Sequence, residues 1–370
     1  MMKKLAVAVA LSSAFVGSAF ADVTLYGVVD AGLSYRSVDW DGARSYKNKG
    51  GDEFTMESGQ MAGSRFGIKG TEEITDGLTV GFVLENGFNS DTGALSDKDR
   101  FFGRESQVFV KTALGTLSMG RVGTLVSDAG SFGLTGSLSP FGTGWSDVGS
   151  QSLVFATTSS RRDNTVTYVS PTVAGVTVYA QYAMGDANEN KSNAKNGRYA
   201  ALGTTYSNGN LGAMVIVDYL NKDSSQTNHG KDMWTVTGGV NYTCPFATSY
   251  LGAQYFKDAN EVGGSAADGY GFNLMNPVHD KAYADLTGYG VVAGLDVPAM
   301  GGVAKVSVGY MNAESDRAHK EVTRLMAGVG YEYAVSKRTT LYSAAGYVRD
   351  SVDNATPTMV QAIAGMKHTF

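Results

Sequence analysis

Along most of the chain apolar side chains alternate with polar or small ones in segments about ten residues long, each broken by a cluster of Gly, Asn, Asp or Ser. Val176, Val178, Ala180 and Tyr182 share one face, opposite Thr177, Tyr179 and Gln181. Leu211, Ala213, Val215, Val217 and Tyr219 oppose Gly212, Met214, Ile216 and Asp218, and Trp234, Val236, Val240 and Tyr242 oppose Thr235, Thr237 and Asn241. The pattern recurs at Leu251–Tyr255, at Tyr289–Leu295, at Ala304–Tyr310 and at Leu325–Tyr333. A period of two predicts strands, and aromatic residues at the ends of the apolar faces suit the headgroup level of a bilayer.

Strand length separates two architectures. Sandwich strands run about five or six residues, whereas these reach about ten, and so many of them form a sheet too wide to stay open. A closed barrel leaves no unpaired edge. The expected fold is therefore all-β, a transmembrane antiparallel β-barrel of about sixteen strands forming one domain. Short turns are expected at 74–77, 113–115, 171–175, 207–210, 243–247, 298–302 and 334–337, with long polar loops between them. Phe101–Lys111 and Leu117–Arg121 alternate poorly, as strands packed against protein instead of lipid would. Inward positions are expected to be small or hydrophilic, as a water-filled lumen requires.

Glycine supplies 48 residues and proline 6, a strand-and-turn composition. At the start, Lys3 and Lys4 precede an apolar run from Leu5 to Val16, and Ala19-Phe20-Ala21 offers small residues for a signal peptidase. Residues 1–21 are expected to be a cleaved signal peptide and 22–370 the barrel. Cleavage removes two of the 30 basic residues and none of the 35 acidic ones, leaving a mildly acidic chain without a basic tract. That argues against nucleic acid as a partner. Cys244 is the single cysteine, so no internal disulfide can form.

Several stretches resemble the Gram-negative porins of the Neisseria, Bordetella and Burkholderia type, in order along the whole chain. Asp22-Val23-Thr24-Leu25-Tyr26-Gly27-Val28-Val29-Asp30 resembles that family's first strand, and Ser64-Arg65-Phe66-Gly67-Ile68-Lys69-Gly70-Thr71-Glu72-Glu73 its second. Leu84–Phe88, Phe102-Gly103-Arg104, Gly115–Arg121, Arg162–Tyr168 and Tyr333–Thr339 follow, and Gly365–Phe370 resembles the final strand. The resemblance implies an outer-membrane general diffusion porin, assembled as a homotrimer among outer-membrane lipid and lipopolysaccharide and passing ions and small hydrophilic solutes without a cofactor. It also implies that barrel-assembly machinery recognises the terminal Phe370, and that the long loop between Arg121 and Arg162 folds into the lumen as the third loop. Arg65, Arg104, Arg121 and Arg162 then stand as constriction residues on the wall, with Asp128 and Asp147 facing them from the loop. Family members often carry Asp before the loop's Pro-Phe-Gly, where this chain has Ser139, and the weakened negative side suggests a slight preference for anions.

Other inward positions mix Lys69, Lys305 and Arg324 with Glu85, Asp218 and Glu332. Enzyme activity is disfavoured, because His229, His279, His319 and His368 sit in apparent loops or near the terminus, away from an inward nucleophile. Two acidic stretches, Asp186-Asn188-Glu189 and Asp350-Asp353, lack the spacing of a calcium loop, and no metal is expected. The competing channel reading is a substrate-specific one, with Tyr179, Tyr199 and Tyr250 as inward aromatic residues.

Overall fold

A computed structural model describes residues 22–39, 51–156, 159–185, 197–221, 231–259, 262–263, 285–316, 319–352 and 356–370. The leader expected over 1–21 lies outside the described residues, as do Asp186, Asn188, Glu189, His229, His279 and Asp353. Among the described residues there are seventeen strands. They are β1 Asp22–Asp39, β2 Gly51–Ser58, β3 Arg65–Thr75, β4 Leu78–Gly87, β5 Glu105–Thr112 and β6 Gly115–Gly123, then β7 Arg161–Val169, β8 Val176–Ala183, β9 Tyr199–Asn208 and β10 Leu211–Leu220. There follow β11 Met233–Thr243, β12 Thr248–Ala259, β13 Leu286–Ala299, β14 Gly302–Ser315, β15 Lys320–Ala334, β16 Thr339–Val352 and β17 Thr358–Thr369.

Each strand from β3 to β17 pairs antiparallel with the next, and β17 pairs with β1 from Val28↔Thr369 to Asp39↔Thr358. The other edge of β1 meets β3 over Asp22–Val28 and β2 over Ala31–Val38. β2 and β3 therefore share one place in the wall, and the barrel is closed with sixteen places. Residues 59–64 break that shared place and turn inward: Met61 N and Ala62 N donate to Asp30 Oδ2 at 3.1 and 2.8 Å.

The expected faces are observed. Val215, Val217, Tyr219, Val240, Leu251, Tyr255, Tyr289, Val308, Tyr310 and Leu325 are exposed on the outside, while Asp218, Thr235, Thr237, Gln254 and Ser307 are buried inside. The expected turns fall between strands; at 298–302 the turn narrows to Met300 and Gly301, both with positive φ (51° and 80°), the backbone a two-residue hairpin requires. β5 begins at Glu105, not Phe101, and from there Glu105 and Gln107 point in while Val108 points out. A bulge at Gly120/Val122 in the β6–β7 ladder disturbs the parity that obscured this region in the sequence.

The lumen departs from expectation in one respect. Met214, Ile216, Met233, Phe256, Val292, Met311, Met326, Val348 and Met359 occupy inward positions and are buried in an apolar cluster with Leu125, Leu138, Leu153, Val154 and Phe155 of residues 124–156. A loop folded inward needs an apolar bed, and burial of each such side chain is worth about 1.5–3 kcal/mol. This loop, with short 3₁₀ turns at Thr135–Leu138 and Gln151–Leu153, thus lies inside the barrel against β8–β17. Asp350, from one of the two acidic stretches, lies on β16, where both carboxylate oxygens accept from Arg324 at 2.7 Å and neither residue is exposed.

Candidate functional site

The inner wall from β3 to β7 is where the apolar bed stops. The loop is tied to that wall near its base, where Ser131 N donates to Glu105 Oε1 at 3.2 Å, and near its tip to the inward turn that precedes β3, where Ser146 N donates to the Gln60 carbonyl at 3.0 Å. Between these ties the wall carries guanidinium groups that remain partly open to water.

Arg65 and Arg104 converge on Glu85 of β4: Arg104 Nε stands 2.7 Å from Oε1 and Arg65 Nε 3.6 Å from Oε2. Tyr26 also donates to Glu85 Oε2, at 3.1 Å. One carboxylate shared by two guanidiniums leaves a surplus positive charge, and both arginine side chains stay 20–26% exposed. Arg161, at the start of β7, feels the charges of Arg104, Glu85, Arg121 and Glu105, and its Nε is buried without a hydrogen-bond partner. Arg162 lies over the Tyr199 ring, 5.9 Å from its centroid. Arg121 is held by Asp163 Oδ1 at 2.5 Å and by the Gly103 carbonyl at 2.6 Å. Arg100, in the loop before β5, reaches Asp163 Oδ2 at 3.1 Å, and that carboxylate raises the guanidinium above its usual range.

The two loop acids are placed differently. Asp128 is exposed, accepts from Thr143 N and Oγ1 at 3.0 and 2.8 Å, and its charge acts on Arg65. Asp147 is drawn to the other side of the loop, where Arg36 of β1 lies 3.5 Å away and Asp147 N donates to Gln361 Oε1 at 3.0 Å. The structure therefore brings Arg65, Arg104 and Asp128 into one electrostatic neighbourhood and sets Asp147 apart from them. Ser139 donates to Gln151 across the loop and is buried, so an acid there would be enclosed in this loop and not presented to the gap.

Sequence reasoning missed Arg36 and Arg161. Arg161 precedes Arg162 directly, so strict alternation would put only one of them inside; the bulge opposite and the left-handed Asn164 (φ 52°) break that rule. Lys305 is held between Asp296 (3.2 Å) and Glu332 (3.6 Å), and Tyr250 donates to Asp296 at 3.0 Å. Tyr199 is fully buried. Among the described residues no group of three or more His, Cys, Asp or Glu side chains is arranged to hold a metal ion.

A ring of strands apolar outside, with a charged and water-accessible gap inside, can conduct hydrated solutes across a bilayer and sort them by charge. Comparison with known proteins agrees. The family model described as Gram-negative porin matches residues 6–353. An outer membrane porin protein of Bordetella pertussis is 29% identical over 403 aligned positions covering 100% of both chains, and outer membrane porin protein 32 of Delftia acidovorans is 26% identical over 94% of this chain and 90% of its own. Among solved structures, the anion-selective porin from Comamonas acidovorans superposes with a TM-score of 0.68 at 22% identity, covering 95% of this chain and 100% of that one. The outer membrane channel DcaP of Acinetobacter baumannii gives 0.65 at 17% identity, with 95% and 97% covered.

Proposed function

This chain belongs to the Gram-negative porin family, and on that premise we propose that its outer-membrane pore prefers anions and selects them at the wall formed by Arg65, Arg104, Arg121, Arg161 and Arg162. Passage of ions and small hydrophilic solutes through a water-filled barrel is the family's general function. The observation that carries the finer reading is the sharing of Glu85 by Arg65 and Arg104, with Arg161 close enough to feel Arg104 and Glu85. A mobile anion entering the gap meets more guanidiniums than carboxylates, since Arg65 and Arg104 share Glu85 and Arg100 and Arg121 share Asp163, with Asp128 as the loop's acid acting on Arg65. Ring-lined guidance of one substrate is less well supported, since Tyr199 is buried under Arg162 and Tyr250 is bound to Asp296.

The test is the zero-current potential of purified protein in a planar bilayer under a KCl gradient. A sign corresponding to chloride preference is expected; a cation-selective sign at low salt rejects the assignment of the arginine wall.

Export with removal of residues 1–21, recognition of Phe370 by barrel-assembly machinery and assembly into a homotrimer belong to the same proposal. Phe370 seals the seam of the barrel, exchanging backbone hydrogen bonds of 3.1 Å with Gly27, and its ring occupies the space a Cβ on Gly27 would need. Phe54, Met56 and Phe101 are more than half exposed on the outside, and Phe101 meets Phe66 edge-on at 6.2 Å, an apolar face suited to a second copy of the chain. On an unheated denaturing gel the wild type is expected to migrate as a trimer and to fall to monomer on boiling, while Phe370→Ser leaves little folded barrel in the outer membrane. A monomer before heating, or normal accumulation of Phe370→Ser, counts against the respective part.

A further inference from the structure

The wall meets the inner loop with glycine at place after place. A Cβ on Gly290 of β13 would stand 1.9 Å from the Val154 carbonyl oxygen, one on Gly328 of β15 2.6 Å from Gly149 Cα, and one on Gly346 of β16 2.9 Å from Val148 Cα. On β11 and β12, a Cβ at Gly239 or Gly252 would come within 2.5 and 3.1 Å of the Leu138 side chain. All five positions have the inward parity of their strands. At Gly290, Gly328 and Gly346 backbone atoms of the loop thus lie directly on backbone atoms of the wall, closer than any other residue type permits, and at Gly239 and Gly252 the Leu138 side chain fills the notch. Polar contacts fasten the same stretch: Ser307 Oγ donates to the Gly149 carbonyl at 2.7 Å, Arg324 Nη1 to the Leu153 carbonyl at 3.0 Å, and Ala156 N to Gln254 Oε1 at 2.6 Å.

We propose that this glycine track sets the width of the pore. By letting the loop sink fully onto β11–β16 it holds open the gap in front of the arginine wall, so residues that no solute touches position the selecting surface. The inference rests on the reading of that gap as the eyelet. Its physics is steric. Carbon and oxygen atoms in contact stay roughly 3.5 Å apart, so a methyl group at Gly290 must displace the loop by roughly 1.5 Å, and the apolar bed behind the loop leaves the lumen as the way out. The loop is accordingly a fixed shelf.

The experiment uses the full-length protein with Gly290→Ala and Gly328→Ala combined, read as single-channel conductance in planar bilayers. Gly238→Ala serves as the control, because it has the outward parity of Val236 and Val240 and its Cβ would come no closer than 3.3 Å to any atom, none of them in the loop. The double variant is expected to lose about one-third or more of its unit conductance while the control conducts as wild type. A folded double variant with unchanged conductance overturns the proposal. Leu138→Ala keeps the question decidable if the double variant does not assemble: emptying the notch over Gly239 and Gly252 is expected to give a noisier and larger current, and a quiet wild-type current overturns the track as the positioning device. Failure of the eyelet reading shows elsewhere, as a zero-current potential indifferent to Arg65 and Arg104, whatever the glycine variants do.

Discussion

Replacing Arg65 and Arg104 together by glutamate inverts the sign of the zero-current potential at low salt. The two changes place three carboxylates where two guanidiniums now share one, because Glu85 remains between them. At about 4 Å two unit charges interact by about 1 kcal/mol in bulk water and by several times that where protein lowers the effective dielectric. A change of that size across a gap alters the relative permeability of chloride and potassium by about tenfold or more. Screening sets the conditions: the Debye length is about 10 Å at 0.1 M salt and about 3 Å at 1 M, so the inversion is expected at 0.1 M and much diminished at 1 M. Arg104→Lys keeps the charge but loses the fixed geometry of the guanidinium on Glu85, and is expected to keep the sign. Arg36→Glu should move the potential less, since Arg36 faces Asp147 on the opposite side of the loop. An unchanged sign in the double variant at 0.1 M would show that selection lies elsewhere in the channel.

How far the sequence foretold this site follows from which physical rule governs each residue. The outer face was legible because lipid is uniform: every outward position from Val215 to Val329 answers to one solvent, and strict alternation is the result. The inner face answers to two. Where water fills the barrel the inward residues are polar, as at Arg65, Glu85 and Lys69, but where the loop lies on the wall they are apolar, as at Met311 and Met326. No local pattern distinguishes a methionine facing a buried loop from one facing lipid, so the apolar bed could not be anticipated. The same ambiguity explains Arg324, whose inward parity was correct and whose expected place among lumenal charges was not, since the loop seals it from the water. Arg161 stayed hidden because parity counts fail past a bulge. Asp147, by contrast, was a question of loop path, which depends on contacts with Arg36 and Gln361 made more than a hundred residues away in either direction.

The largest effect on stability is expected at that sealed pair. Arg324 and Asp350 are both 0% exposed, joined by two hydrogen bonds of 2.7 Å, and Arg324 also donates to the Leu153 carbonyl. A buried ion pair is weak evidence of net stabilisation, because desolvating two charges offsets most of their attraction. Breaking it is a different matter. Arg324→Leu leaves Asp350 enclosed without its counter-charge and the Leu153 carbonyl without a donor, and should destabilise the folded protein by about 3–5 kcal/mol. Arg324→Leu combined with Asp350→Leu removes both charges and fills the space with apolar atoms beside Val348 and Met326, so it should regain most of that loss. Thermal unfolding in detergent, followed by the heat-dependent shift on a gel, reads the difference directly. If the single variant unfolds at the wild-type temperature, water reaches Asp350 and the seal formed by the loop is not what the geometry implies; if the double variant is as weak as the single one, the pair serves the loop through its Leu153 contact more than through charge compensation.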